Sequence, residues 1–547
     1  MNNKEIARQF NLLGKLLELH GENPFKTRSY SSAYVTIRKL PYPVIDRTKE
    51  ELLQVKGIGK AISEKIVELK ETGEIGALSN YIQNTPPGIV EMLQIKGFGP
   101  KKIKVVWKEL EIDTPGELLY ACEENRLIDL KGFGLKSQDN IKQQLEYYLD
   151  SRGKYLYGHI ETEAHDLIQL LRADLGESNI EFINGIRRMY PVVDGIDLLT
   201  DAQQDLLKSL LDNLPEYETE GDTMTYRGIK VSVTYVSKTS YQESLFKHSA
   251  SDEFLEAWSD KFGFDSMDDK EYFSSHNLAY IPSELRESPD MIDLAQSVED
   301  LDLIDLTDIK GVVHAHSTYS DGTATVREMA QACIDLGYQY LVMSDHSKAA
   351  FYANGLKEDR VLAQMEEIDR LNAEYESFKI FKSIECDILY DGSLDYDDDF
   401  LVHFDCVITS VHSNLKMTQD KAMERLLGAI RHPATTILGH PTGRLLLSRE
   451  GYPIDHQELI DACAEHNVSI EINASPYRLD LDWSWIPYAQ ERGVMLSINP
   501  DAHSTAGIKD IRYGVLAARK GGLKSQNCLN AKNCSQFSEW ISKHRPC

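Results

Sequence analysis

The decapeptide VHAHSTYSDG at residues 313–322 sets His314 and His316 two apart, with Asp321 five residues further on. In a β-strand, residues two apart face the same way, so both imidazoles address one point. Six later segments share this design: LVMSDHSKA (341–349), SIECDILYDG (383–392), VITSVHSN (407–414), TILGHPTGR (436–444), SIEINASPYRLDL (469–481) and LSINPDAHST (496–505). Each is a short apolar, β-rich run that ends in a polar cluster. Imidazoles and carboxylates without thiolate partners suit Zn2+ or Mn2+, and the residue types do not choose between the two.

Something must hold those strand ends together. Between the runs lie stretches such as ATVREMAQACIDLG (324–337) and DRVLAQMEEIDRLNAEY (359–375), whose apolar residues recur at helical spacing. Strand-then-helix units with polar residues at the strand C-termini predict a β/α barrel with its site on the top face. Eleven of the 16 histidines lie after residue 310, so the ligand-forming residues are concentrated in this part of the chain.

Residues 309–547 closely resemble the PHP (polymerase and histidinol phosphatase) metallohydrolase domain. The resemblance implies a distorted (β/α)7 TIM-like barrel with nine ligands: His314, His316, Asp321, His346, Glu385, His412, His440, Asp501 and His503. It implies a first metal on His314, His316, Glu385 and Asp501. Glu385 would bridge to a second metal on His412 and His440, and Asp321, His346 and His503 would hold a third. Val313 and Pro500 depart from the family's habit but touch no ligand position. The implied reaction is phosphoester hydrolysis by a metal-activated water, with Glu385 and Asp501 in the catalytic set. Arg444 and Arg478 are candidates for a bidentate phosphate contact or, equally, for ion pairs on the barrel rim.

The front of the chain repeats one theme: VKGIGKAISEKI (55–66), IKGFGPKKIKVV (95–106) and LKGFGLKSQDNI (130–141). In each, glycines permit a tight turn and a close approach, and the helix that follows offers unpaired N–H groups suited to phosphate. These stretches resemble the helix-hairpin-helix motif, which grips a DNA backbone without reading bases. The expected contacts are Gly57, Gly59, Lys60, Lys65, Gly97, Gly99, Lys101, Lys102, Gly132 and Gly134. The segment LLELHGENPFKTRSYSSAYVTIRKL (16–40) is similar to the N-terminal domain of family X DNA polymerases, the group containing DNA polymerase beta. There Lys65 falls at a Schiff-base position, although a solvated helix lysine beside Glu64 fits the same residues.

Residues 184–199, NGIRRMYPVVDGIDLL, resemble the family X palm motif, and NLAYIPSELRES (277–288) its thumb. Anchored on Arg187 and Arg188, the palm's first two carboxylate positions fall on Gly195 and Asp197, and the third falls on Ser232. Asn184-Gly185 replaces the family's Gly-Ser, and HSASDEF (248–254) its nucleotide-contact turn. One carboxylate of three cannot clamp two ions, so Mg2+ is not expected at this palm.

Length and charge agree. At 547 residues the chain predicts three or more domains. The expected layout is an α-helical helix-hairpin-helix domain at 1–88, a second such domain at 89–150, and an α+β nucleotidyltransferase-like palm at 151–235. A thumb at 236–295, a linker at 296–308 and the PHP barrel at 309–547 complete it. Net charge is −28, yet residues 1–110 carry 18 Lys/Arg against 12 Asp/Glu. A basic head on an acidic body still holds DNA locally, because screening confines the interaction. The eight scattered cysteines form no CxxC pair, and no apolar run approaches the ~18 residues of a membrane span. A cytoplasmic, nucleoid-associated protein without membrane contact is expected.

Together these features resemble a bacterial family X polymerase fused to a PHP domain. They imply a DNA-repair hydrolase acting on gapped, nicked or 3′-blocked DNA as a 3′–5′ exonuclease, 3′-phosphatase or AP endonuclease. The rivals are an active gap-filling polymerase with a PHP nuclease, a small-molecule phosphatase of the histidinol-phosphate kind, and a non-catalytic scaffold at DNA ends.

Overall fold

The computed structural model describes residues 1–95, 98–110, 112–115, 118, 122, 127, 130, 133–150, 153–350, 353–447 and 450–543. The chain divides into two compact units, Met1–Arg152 and Gly153–Cys547.

The first unit is helical. Its long opening helices, α1 (Asn3–Leu19) and α2 (Pro24–Lys39), pack on each other. Asn2 caps α1 in a reciprocal box with Glu5, and Asn23 caps α2 ahead of Pro24, so both starts are written in the sequence. Three later helices, α3 (Lys60–Thr72), α4 (Pro100–Glu109) and α5 (Leu135–Asp150), follow the three glycine hairpins. The hairpins share one geometry. The Gly59 carbonyl accepts from Ile62 and Ser63, the Gly99 carbonyl from Lys102 and Ile103, and the Gly134 carbonyl from Ser137 and Gln138, all at 2.9–3.1 Å. Ile58 and Phe98 are buried just ahead of α3 and α4 and anchor those turns in the core. Gly57 adopts φ +99°, and a Cβ there would lie 2.6 Å from Thr36 Oγ1.

The second unit opens with β1 (Tyr155–Leu156), paired with β3 (Val192–Val193), and the helix α6 (Tyr157–Asp174). A five-stranded mixed sheet follows in the order β2-β4-β7-β6-β5, built from Ile180–Phe182, Ile196–Thr200, Ile229–Tyr235, Thr223–Tyr226 and Tyr217–Glu220. After it, Phe246, Phe254, Trp258 and Phe273 pack into an aromatic core. The fully buried Arg286 sits over the Phe246 and Phe273 rings and donates to Asp269 at 2.8 Å. The expected linker, 296–308, is packed rather than free. Ile304 is fully buried, its N–H donates to the Leu523 carbonyl, and Leu303 bridges to Lys524.

The last element is a seven-stranded all-parallel sheet, β8 (Gly311–Ala315), β9 (Tyr340–Met343), β10 (Lys379–Asp387), β11 (Cys406–Ser410), β12 (Ile437–Leu438), β13 (Ser469–Asn473) and β14 (Leu496–Asn499), neighbours in that order. A bridge from Ala315 to Ala502 brings the edges together into a nearly closed barrel. Parallel strands covered on both faces are apolar almost throughout. The polar exceptions are therefore informative: His314, Glu385 and Glu471 are fully buried within such strands. No helix among the described residues is long and apolar enough to cross a membrane.

Candidate metal centre

All nine expected ligands converge at the C-terminal ends of the barrel strands, and Glu385 is the hub. Its Oε1 lies 3.0 Å from both His412 Nε2 and His440 Nε2 and 3.3 Å from His314 Nε2, and its Oε2 lies 2.8 Å from His346 Nδ1. His316 Nε2 approaches Asp501 Oδ1 at 3.0 Å, and His503 Nε2 lies 3.3 Å from Asp321 Oδ1. Three ligand sets emerge among the described residues: His316, Asp321, His346 and His503; His314, His316 and Asp501; and His346, Glu385 and His412. Sharing was expected only at Glu385, the bridge between the first two metals, whereas here His316 and His346 each belong to two sets.

His314 reaches the centre by a different route from the regular pleat. Its φ is +66°, and the β8–β9 register shifts between Val313 and Ala315. The bulge re-aims the imidazole, a common device beside active sites. Asp501 also sits at φ +50°, so a ligand on each strand edge that closes the barrel is held in an unusual backbone state.

The centre grades from a dry floor to an open rim. The side chains of His314, Glu385 and His440 are 0–1% exposed, whereas those of Asp321 and His503 are 33% and 40% exposed. Charge alternates across it. Burial opposes ionisation of Glu385 and Asp501, but the surrounding imidazoles hold both well below the ordinary carboxylate range. Burial likewise opposes charge on His412, yet Glu385 and Asp387 lift it to about 10. His503 rises to about 9 against its burial, beside Asp321 and Asp501. His316 is pushed down to about 4 by burial and by the neighbouring His503 and His346.

The donor set fits divalent cations. His314 Nε2, His316 Nδ1, His346 Nδ1, His440 Nδ1 and Glu385 Oε2 are buried atoms that make no hydrogen bond to protein. Buried polar atoms held only by charge contacts, without a hydrogen bond, are costly, and their concentration among the expected ligands suits a bound cation.

One essential neighbour escapes motif reading. Glu471, fully buried on β13, accepts from His314 Nδ1 at 2.6 Å and Asn499 Nδ2 at 2.8 Å through Oε2. Through Oε1 it accepts from the His440 N–H at 3.1 Å and Asn473 Nδ2 at 3.0 Å. With Nδ1 engaged, His314 turns Nε2 to the centre. Asp387 orients His412 in the same way, at 3.2 Å from Nδ1. The available signal was two-residue spacing in SIEIN, which faces Glu471 and Asn473 inward together.

The two arginines part ways. Of the two readings open for Arg444, phosphate contact or rim ion pair, the geometry matches the second, and its guanidinium is occupied: Nε donates to the Arg478 carbonyl, Nη1 to Asp482, and Nη2 to the Leu479 carbonyl. It pins the loop that carries Arg478. The Arg478 guanidinium is buried, and against that burial its charge is stabilised by Asp480, Asp501, Glu385 and Glu471. Its Nη1 makes no hydrogen bond to protein. Arg478 is thus a cation within electrostatic reach of the centre's carboxylates.

In the palm-like sheet, Asp197 on β4 pairs in register with Ser232 on parallel β7, so these two expected positions do lie side by side. Gly195 has φ +142°, and a Cβ there would stand 2.5 Å from the Lys230 carbonyl oxygen. This backbone leaves no room for an aspartate at 195. Asn184 Nδ2 donates to Asp197 at 3.3 Å, Arg187 pairs with Glu181, and Arg188 pairs with Glu287.

In the helical unit, Lys60 and Lys101 are exposed, with Lys101 88% open. Lys102 is not free as expected; its Nζ donates to Ser137 at 2.6 Å and lies over Phe133, tying the second hairpin to the third. Lys65 lies 3.8 Å from Glu68, a carboxylate where a Schiff-base role calls for a cation. Gly97 and Gly132 lie outside the described residues.

Comparison with known proteins agrees with this arrangement. Residues 1–75 match the helix-hairpin-helix domain, 89–146 the SAM-like helix-hairpin-helix tandem, and 313–475 the PHP domain. The DNA polymerase/3′-5′ exonuclease PolX of Bacillus subtilis strain 168 is 32% identical over 577 aligned positions, covering 100% of both chains. The chain belongs to the PolX family. A probable phosphatase of Thermoanaerobacter sp. strain X514 is 27% identical over 250 residues, 42% of this chain and 94% of that protein. Another, of Shewanella sp. strain ANA-3, is 28% identical over 202 residues, 35% of this chain and 71% of that protein. This PolX chain is therefore an enzyme with a metal-dependent phosphoesterase domain, joined to DNA-binding helical modules.

Proposed function

We propose that this enzyme hydrolyses phosphoesters at DNA 3′ ends, as a 3′–5′ exonuclease whose same centre can remove a 3′-phosphate or cut at an abasic site, and that its palm no longer polymerises. The observation that carries the reading is the convergence of nine imidazoles and carboxylates on Glu385, with Arg478 as a cation within electrostatic reach. His314, His316 and Asp501 would hold one Zn2+ or Mn2+, and His346, Glu385 and His412, joined by His440, a second. Asp321 and His503 would hold a third with help from His316 and His346. Bound metal supplies Lewis acidity and a water acidic enough to attack near neutral pH.

The protein's own part is orientation and charge. Glu471 and Asp387 fix His314 and His412. Arg478 meets negative charge on the nonbridging phosphate oxygens. The open Asp321–His503 side admits the strand end, and the dry floor raises the strength of every interaction within it. The exposed Lys60 and Lys101 beside glycine-capped helix starts hold gapped, nicked or 3′-blocked DNA by its backbone.

The test is incubation of the full-length protein with 5′-labelled gapped DNA, Mn2+ and dNTPs. Shortening without extension is expected, and His316→Ala and Glu385→Ala each remove it. Extension by the wild type would overturn the loss of polymerisation, and undiminished shortening by those variants would overturn the site. Equal turnover of a small phosphomonoester after deletion of residues 1–300 would favour a small-molecule phosphatase instead.

A further inference from the structure

The loop after β13 carries Arg478 and is fastened from both sides. On the barrel side, Arg444 holds the Arg478 and Leu479 carbonyls, Asp480 accepts from Thr442 Oγ1 at 2.7 Å, and the Leu446 N–H donates to the Tyr477 carbonyl at 2.7 Å. On the opposite side the loop meets the first turn of α6, in the palm-like part of the same unit. The His159 ring stands edge-on to Tyr477, with centroids 4.7 Å apart at 74°. Gly158 lies directly against Pro476: a Cβ on Gly158 would come within 2.9 Å of Pro476 Cβ and 3.0 Å of Tyr513 Cε1. Tyr513 fixes that turn by donating to the Gly158 carbonyl at 3.1 Å.

A buried ionic latch lies nearby. Lys520, at the end of the helix Ile511–Lys520, donates to Glu287 at 2.6 Å and to the Arg188 carbonyl at 3.1 Å, with Tyr190 and Trp483 stacked on its ammonium. Arg519 pairs with Glu284 beside it. Arg188 belongs to the palm's arginine motif and Tyr190 follows it, and Trp483 follows the Arg478 loop. The latch therefore joins the palm-like and thumb-like parts to the barrel at the place where that loop leaves it.

We propose that Gly158 and His159 are positioning residues for phosphoester hydrolysis: the start of α6 buttresses the 475–482 loop and keeps Arg478 aimed at the metal centre. This rests on the reading of Arg478 given under Proposed function and adds the task that keeps a palm with one remaining carboxylate of three in the chain. A buttress of this kind needs the backbone and surface of the palm and none of its metal-binding positions. Two neighbours of Arg478, Pro476 and Tyr477, are the parts of the loop it touches.

The test is a double-mutant cycle on the full-length protein with Mn2+, measured on 3′-recessed DNA and on bis(p-nitrophenyl) phosphate. His159→Ala removes an edge-to-face aromatic pair, which corresponds to a fall in kcat/KM of about threefold to tenfold. His159→Phe restores it. Gly158→Ala, which forces Pro476 aside while leaving the helix intact, gives a loss of the same kind and serves if His159→Ala lowers the melting temperature. Bound metal per protein stays unchanged in all three variants. In an Arg478→Ala background the same changes have no further effect, since what they position is gone. Losses that multiply in that background, or that track lost metal, overturn the buttress while leaving the Arg478 reading in place. An Arg478→Ala variant with undiminished kcat/KM overturns the Arg478 reading itself, and the buttress with it.

Discussion

Replacing Glu471 by glutamine tests whether the centre depends on a carboxylate that touches no substrate. Four N–H donors, from His314, Asn499, His440 and Asn473, end on its two oxygens at 2.6–3.1 Å. A carboxylate accepts all four, whereas a glutamine side chain has one acceptor oxygen and one amino group. Either orientation of the amide sets its amino group against two donors. If the amino group faces the His440 N–H and Asn473, two buried donors go unmet at about 1–3 kcal/mol each, and the fold loses about 2–6 kcal/mol. If it faces His314, that ring must accept at Nδ1 and carry its proton on Nε2, the atom 3.3 Å from Glu385. Metal then competes with a proton for its own ligand, and losses of such supporting partners typically cost about tenfold to a hundredfold in affinity. The assay is Mn2+ titration of exonuclease rate, with elemental analysis of the purified protein and a thermal melt. The expected result is a rate curve displaced to higher Mn2+ by that factor, with most of the wild-type maximum recovered at saturation. Unchanged Mn2+ dependence with an unchanged melt would refute the reasoning.

Three further outcomes follow from the same geometry. Lys101→Ala lowers the slope of log affinity for DNA against log salt by about one, while Lys102→Ala leaves the slope unchanged and loosens the third hairpin, read by filter binding across a salt series. Gly195→Asp destabilises the fold by about 2 kcal/mol or more, because φ +142° and the Lys230 carbonyl both oppose a side chain, and Ser232→Asp with or without it restores no primer extension. Burial lowers Lys520 to about 8, below its unfolded value of 10.5, so the unfolded chain binds more protons between those values and stability rises with pH there. Thermal melts at pH 7.5 and 9.5 should therefore show the wild type gaining about 1–2 kcal/mol on Lys520→Met, and a constant difference would mean that Lys520 does not titrate in that window.

The parts of this enzyme legible in its sequence are those in which local pattern and chemistry coincide. A glycine pair followed by lysines prescribes both the turn and its ligand, so three hairpins could be read from three short repeats. Histidines at the ends of apolar runs prescribe the barrel and its site together. What stayed hidden depends on partners far along the chain. Lys102 looked free until Ser137, 35 residues on, came within 2.6 Å. Arg444 fitted a phosphate hook and a rim ion pair equally well, and the choice rests on carbonyls 34 and 35 residues downstream that take its donors. His314 was found for a partly mistaken reason: a regular pleat would suffice on paper, whereas the chain uses a bulge and a left-handed residue to close the barrel at the same point.

Charge explains why the two compact units belong on one chain. Outside the first 110 residues the protein is strongly acidic, and its centre adds buried carboxylates to that field. Left to diffusion, such a surface repels a polyanion at any distance within the Debye length of about 8–10 Å. The basic hairpins change the problem from encounter to tethering. On the function proposed above, hairpins holding the duplex would present the strand end at an effective concentration set by the chain itself, and repulsion by the acidic body would be met by an interaction already made. The barrel would then be free to keep the carboxylates its cations require, with Arg478 and a metal, when bound, as the proposed positive charges for a phosphate. Raising salt should therefore weaken DNA turnover much more than turnover of bis(p-nitrophenyl) phosphate, because only the former relies on the lysines of the hairpins. Equal salt sensitivity for the two substrates would mean that DNA reaches the centre without them.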